Sequence, residues 1–295
     1  MTLSGQVVDQ FSGAGVAGAA VQFAGASTVT DAGGYFSISE ASGPAGPVVV
    51  AAMGYHDRQT FASGSAVRIA VVPASFDMST FHDVGRENSQ RTIRWLASPS
   101  LYLDTRVLGG VVDPAELQQW IAEIQAIAPS FVVDWSGSAL AGGAVAVGET
   151  PPASGAIVLQ FDENPASYPT ERTAGLTTVT WGTNGVISAV RIRLRLSELT
   201  GPTAALARRA ILAHELGHAM GLGHVEGETA SLMSPVVRTT TLTEFDRAVA
   251  RIHYGRAPGN TSLDQDHQAM PATGALAPAA SSVSRDWGCQ LELGS

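Results

Sequence analysis

The sequence predicts two folding units in one chain: a small all-β unit at the N-terminus and a larger α+β domain after it. Three observations lead there. Residues 3–73 carry short apolar runs broken by Gly, Ser, Asp and Pro, the rhythm of strands and turns. From Arg94 onward, strand-like apolar runs alternate with segments whose apolar residues recur at helical spacing. One of those helical segments carries His214, Glu215 and His218, with His224 close behind. The boundaries read from these shifts are 1–75 for the all-β unit, 76–93 for a linker, 94–266 for the larger domain and 267–295 for an irregular tail.

The expected strands of the first unit lie around Val7-Val8, Ala20 to Phe23, Tyr35 to Ile38, Val48 to Val50 and Val67 to Ala70. Asp31-Ala32-Gly33-Gly34 is a turn before a strand. Gly5, Val7 and Asp9, then Gly18, Ala19 and Val21, then Thr30, Asp31, Gly34 and Phe36, then Gly54 and Tyr55 follow an ordered pattern. That pattern resembles the carboxypeptidase regulatory-like, or transthyretin-like, sandwich, with one extra residue between Asp31 and Gly34. The resemblance implies a module without chemistry of its own. His56 and Asp57 read as a polar pair after a turn.

The linker 76–93 has mixed charge and little periodicity, and it holds Asp77 and Asp83. A first strand is expected from Ile93-Arg94-Trp95-Leu96 and Leu101-Tyr102-Leu103, broken at Pro99. Asp113 as cap with Pro114 at the first position opens a helix. Leu117, Trp120, Ile121, Ile124 and Ile127 form its apolar face, and Pro129 closes it. Phe131 to Trp135 and Ala156 to Phe161 read as strands. Two more, Thr177 to Trp181 and Val186 to Leu194, flank the turn Thr183-Asn184-Gly185 as a hairpin. Pro202 opens the next helix, with Leu206, Ala210, Ala213 and Gly217 on one face. Thr243 caps a last helix, Glu244 to Tyr254, with Phe245, Val249 and Ile252 inward.

The histidine pattern points to chemistry. His214 and His218, four apart, lie on one face of a helix and can hold one Zn²⁺. Gly221 has no Cβ, so the chain can leave the helix with positive φ and bring back His224 as a third ligand. Three protein ligands with an open fourth position mark a catalytic zinc. Glu215, next to the first ligand, is placed to take a proton from water that zinc activates.

The full string, H-E-x-x-H-x-x-G-x-x-H over His214 to His224, resembles that of the metzincin zinc endopeptidases. Ser231-Leu232-Met233-Ser234-Pro235 is similar to their Met-turn, which puts Met233 beneath the metal as an apolar floor. The S-x-M-x-P form is closest to the matrixins, although Val225 stands where a matrixin has Ser. No tyrosine follows Met233; Pro235, Val236 and Val237 do. The resemblance implies a twisted mixed sheet with an antiparallel edge strand, an active-site helix and a C-terminal helix. It implies a zinc-dependent endopeptidase with a protein or peptide substrate, acting outside the cytoplasm. It also implies that the outer strand of the 177–189 hairpin is an open edge to which an extended substrate adds. Matrixins bind calcium, and Asp162-Glu163-Asn164 could donate oxygens to Ca²⁺, but no clear ligand motif is present and a solvated turn is the preferred reading. Two other readings stay open. One is a binding or adhesion protein with a weakly active or inactive zinc domain. The other is a self-inhibited precursor whose linker fills the cleft, with the carboxylate of Asp77 or Asp83 placed on the zinc as in some metzincins; solvated linker carboxylates are the preferred reading of both.

The net charge of −9 with no basic stripe argues against nucleic acid as partner. All 17 basic residues are arginine. The single cysteine, Cys289, cannot form an internal disulfide, and its place near the C-terminus is not that of a zinc-blocking cysteine in a pro-segment. No apolar run approaches membrane-spanning length, and the first residues lack the pattern of a signal peptide.

Overall fold

Seven short strands build the N-terminal part of this computed structural model: β1 (Leu3–Asp9), β2 (Ala20–Phe23), β3 (Ala26–Val29), β4 (Tyr35–Ile38), β5 (Gly46–Ala51), β6 (Arg58–Ala62) and β7 (Ala66–Val71). The structure describes residues 2–39, 46–79, 81, 91–97, 99–104, 122, 144–145, 154–162, 164–195, 204–226, 230–262, 265–266 and 281–291. The strands form two sheets, β4-β1-β7 and β3-β2-β5-β6. Alternation decides which side chains go inward: Phe36 and Ile38 of β4 are buried while Tyr35 is exposed. Leu3, Val7, Phe36 and Ile69 from one sheet meet Val21, Phe23, Val48 and Val50 from the other in one core. β3 and β6, the two edges of their sheet, carry no apolar run, so the sequence does not mark them.

The second part is built on a seven-stranded sheet in the order β13-β14-β11-β12-β10-β8-β9. Its members are β8 (Ser100–Asp104), β9 (Ala144–Val145), β10 (Ala156–Phe161), β11 (Thr173–Gly182), β12 (Ile187–Leu194), β13 (Val236–Val237) and β14 (Ser282–Leu291). β8, β9, β10 and β12 run parallel, and β11 is antiparallel to β12. Helix α1 (Ala204–Ala219) packs on β11, β12 and β14. Helix α2 (Glu244–Tyr254) starts at Thr243, whose side chain and that of Asp246 cap each other's backbone. Leu101, Ile157, Leu159, Val179, Ile192, Ile211, Leu216, Val249 and Ile252 share the core. The mixed α+β architecture agrees with the sequence expectation.

Three expectations are corrected. The hairpin is present, with Gly185 at φ +77 in its turn, but neither of its strands is an edge. β12 lies between β11 and β10, and β11 lies between β12 and β14. β14 comes from the C-terminal stretch expected to be irregular. Its pairing with β11 runs from Thr173↔Gln290 to Gly182↔Ser282. The first strand also begins later than expected, at Ser100; residues 93–96 instead pass beside the hairpin turn, where Arg94 N–H donates to Gly185 O and Ile187 N–H to Arg94 O. The helix expected over 113–129 and the strand at 131–135 lie outside the described residues, Ala122 excepted, which is helical.

Named contacts join the two parts. Arg58 and Asp266, both buried, form an ion pair, and Asp266 also accepts from Asn260 Nδ2 (2.7 Å) and Thr60 Oγ1 (3.1 Å). The Phe76 ring bridges Phe11 of the first part and Phe245 of α2. His56 Nε2 lies 3.2 Å from Phe76 O, a structural contact at the start of the linker.

Candidate active site

α1 presents His214, Glu215 and His218 from its last two turns, all fully buried. The helix then stops within one residue. Leu222 N–H donates to Gly217 O and Gly221 N–H to His218 O, the paired bonds of a Schellman cap with Gly221 at its left-handed position. Gly221 has φ +92, and a Cβ there would stand 2.1 Å from Ile93 O. Glycine is thus required twice, by dihedral and by space. The chain turns back and brings His224 to the other two histidines.

The three imidazoles converge through Nε2: His214 and His218 at 2.9 Å, His218 and His224 at 3.2 Å. Their outer nitrogens fix the tautomer. His214 Nδ1 lies 2.6 Å from Leu232 O and His218 Nδ1 lies 2.7 Å from Leu222 O. A carbonyl only accepts, so each Nδ1 carries the proton and each Nε2 turns a lone pair inward. Burial pushes His214 down to about 3 and His218 well below its ordinary value, and pushes His224 down to about 4. The rings are therefore neutral at neutral pH, the state that binds a metal. The spacing is close to the roughly 3.3 Å edge of a tetrahedron of nitrogens around Zn²⁺. The donor set fits zinc.

Met233 lies under the helix. A Cβ on Gly217 would stand 2.3 Å from Met233 Sδ, so the small residue makes room for the sulfur. Ser231 and Leu232 are held by Asp246 at the start of α2, and Met233 N–H donates to Ser231 Oγ (2.9 Å). The Asp246 carboxylate accepts from Ser231 Oγ (2.5 Å), Leu232 N (2.9 Å), Thr243 N (2.8 Å) and Thr243 Oγ1 (2.8 Å). Leu232 therefore links Asp246, through its N–H, to His214, through its carbonyl.

Both oxygens of Glu215 are occupied. Oε2 accepts from Thr177 Oγ1 (2.5 Å) and Oε1 from Cys289 Sγ (2.9 Å). Burial pushes the carboxyl up to about 7, against the pull of the Cys289 and Thr177 hydrogen bonds. Gly175 of β11 lies so close that a Cβ would come within 2.3 Å of Glu215 Oε1. Trp287 stacks on His218, centroids 5.1 Å apart and planes 8° apart.

The six residues singled out from sequence thus meet in one place. Thr177, Gly175, Asp246, Trp287 and Cys289 were missed as parts of it. Asp246 had a local signal, the T-x-x-D capping pattern just after the Met-containing turn. The other four had none, since only strand pairing brings them to the helix. Of the other candidates, Asp77 accepts from Ser79 N and Oγ in a local turn, and Asp83 lies outside the described residues. Asp162 and Asn164 accept backbone N–H groups of their own turn (2.9 and 3.1 Å), and Glu163 lies outside the described residues.

The family model described as Matrixin matches residues 119–255, which include the three histidines, Glu215 and Met233. No curated protein matches the chain. Two solved structures are similar over part of it. One is a C-terminal interface mutant of a type II cohesin–X-dockerin complex from Acetivibrio cellulolyticus, 23% identical, covering 24% of this chain and 51% of that one, TM-score 0.20. The other is a putative membrane-associated protein of unknown function from Bacteroides fragilis, 16% identical, covering 43% of this chain and 50% of that one, TM-score 0.20. The chain spans about half the length of each, and at that TM-score neither bears on its fold.

Proposed function

From the premise that residues 119–255 are a matrixin-like metzincin domain, a zinc-dependent peptidase by family, we propose that this chain is an endopeptidase using Glu215 as general base. The observation that carries this is the inward convergence of three neutral Nε2 atoms beside a buried carboxylate. His214, His218 and His224 would hold one Zn²⁺. Bound there, the ion supplies Lewis acidity and lowers the pKa of water. Glu215 takes the proton of the attacking water as its oxygen bonds to the scissile carbonyl carbon. It then passes that proton to the amine nitrogen as the C–N bond breaks. Thr177 holds one carboxylate oxygen and so aims the other. Met233 and Gly221 shape the site without touching the reacting atoms. The substrate is a protein or peptide. No helix among the described residues is long and apolar enough to cross a membrane, and we place the enzyme outside the cytoplasm by its family.

Metal analysis combined with peptide-library cleavage tests the assignment. Glu215→Gln keeps the size of the side chain but cannot accept the proton. It should retain about one zinc per chain and lose about 10²–10⁴-fold in rate. His218→Ala should lose zinc and activity together. Near-parent turnover by Glu215→Gln with zinc retained, in a form whose parent hydrolyses peptides, would remove Glu215 from the base role.

A further inference from the structure

The groove beside the three histidines already holds a strand, and the strand is the chain's own. β14 pairs antiparallel with β11 on one side and parallel with β13 on the other, at Val236↔Gln290 and Val237↔Leu291. Gln290 N–H donates to Pro235 O at 2.9 Å, in the segment that directly follows Met233. Without β14, β11 and β13 would face each other across a slot about 10 Å wide, the room of one strand. Main-chain pairing with an open edge is how an extended peptide is captured.

Alternation along β14 sends Trp287 and Cys289 toward α1. Trp287 covers the ring of His218, and Cys289 Sγ donates to Glu215 Oε1. The thiol, Glu215 and His214 bring their ligand atoms within 4.8 Å of one another, so sulfur takes the space beside the base where an attacking water has to stand. Ser284 and Asp286, on the other face, are exposed and bond the hydroxyls of Thr180 and Thr178. With β14 in place His214, Glu215 and His218 are all fully buried. His224 keeps partial exposure, but β11 has β14 on one side and β12 on the other, so an extended peptide can pair with β11 only once β14 leaves.

We propose that residues 282–291 are an inhibitory strand that fills the substrate groove and keeps the catalytic domain latent. Trp287 and Cys289 are the side chains that close it over His218 and Glu215. The occupant is therefore the C-terminal segment, in place of the linker carboxylates weighed from sequence. This rests on the zinc-peptidase reading, and the test separates the two.

A recognition site for a sequence-specific protease is inserted between Asp266 and Ser282, and the zinc-loaded full chain is cut only after folding. Cutting turns an intramolecular contact into a bimolecular one, so dilution releases the strand. Three quantities are followed: zinc per chain, reaction of the Cys289 thiol with maleimide, and hydrolysis of a peptide library. The expected result is a thiol protected before the cut and reactive after it, with zinc unchanged. Hydrolysis should rise by about 10²-fold or more, the scale of the lost effective concentration. A synthetic peptide of residues 281–295 should suppress it again. Hydrolysis that does not rise although the thiol is freed overturns the inhibitory strand; if the intact chain is already active, the peptidase reading survives. A thiol that stays protected after cutting and dilution makes β14 a permanent structural strand and also overturns the proposal. Absence of zinc, or zinc with no hydrolysis in either form, defeats the peptidase reading itself. Without inserted sequence, Trp287→Ala/Cys289→Ala in the uncut chain should raise hydrolysis about tenfold, equivalent to ~1.4 kcal/mol of strand docking. Unchanged hydrolysis in that variant counts against the proposal.

Discussion

Replacing Asp246 should weaken zinc binding although it touches none of the three histidines. Its side chain is buried and accepts four hydrogen bonds, two from the Ser231-Leu232 segment and two from Thr243. Asp246→Ala leaves Ser231 Oγ–H and Leu232 N–H without their acceptor and away from water. Each of these two donors costs about 1–3 kcal/mol and the helix cap about 1 kcal/mol, so a loss of about 3–7 kcal/mol follows. Domains of this size are stable by about 5–15 kcal/mol, so the Ala variant is suited to measuring stability. Asp246→Asn keeps the shape and one acceptor oxygen and is the variant for metal affinity. Leu232 carries the effect: its N–H is held by Asp246 and its carbonyl orients His214. Changes at such supporting positions typically cost about 10–100-fold in metal affinity. Urea unfolding with an unchanged m-value gives the first quantity, and competition with a chelator gives the second. An Asn variant within about 0.5 kcal/mol of the parent and with parental zinc affinity would refute the relay.

Three further outcomes are expected. Gly175→Ala puts a Cβ where Glu215 Oε1 lies, so hydrolysis by the strand-released enzyme should fall by about 10²-fold with zinc content unchanged; parental activity would mean that Glu215 can work from another position. His253 is buried with its Nε2 2.6 Å from Ile93 O, and burial pushes it down to about 4 from 6.5. The unfolded chain then binds more protons between those values, so stability is full above pH 6.5 and falls by about 3 kcal/mol as pH drops to 4. His253→Gln, which keeps a donor for Ile93 O, should remove that part of the pH dependence in paired denaturation curves; identical curves would refute it. A chain beginning near Phe76 should still bind zinc, whereas Arg58→Ala in the full chain leaves Asp266 buried without its partner and should cost about 3–5 kcal/mol in urea unfolding; equal stability would show that the pair adds nothing.

What was legible in the sequence follows how far apart the interacting residues are. The zinc triad, Gly221, Met233 and the cap at Thr243 all lie within 214–243, and each is specified by helical repeat, turn chemistry or capping. The strands of the N-terminal core are visible where burial forces an apolar pattern, as with Phe36 and Ile38 of β4 and Ile69 and Val71 of β7, and invisible in β3 and β6, which lack one. β14 shows the limit most clearly. Its buried positions are Trp287 and Cys289, while Val283 is exposed, so apolar residues do not mark the strand. Its stability comes from backbone pairing with β11, more than a hundred positions earlier, and no local pattern encodes a partner. For the same reason a lone cysteine near the chain end gave no sign of a site until the pairing register put it opposite Gly175. Gly175 has no side chain, so Cys289 can reach past the strand to Glu215. A larger residue on β11 at that register position would separate the thiol from the base.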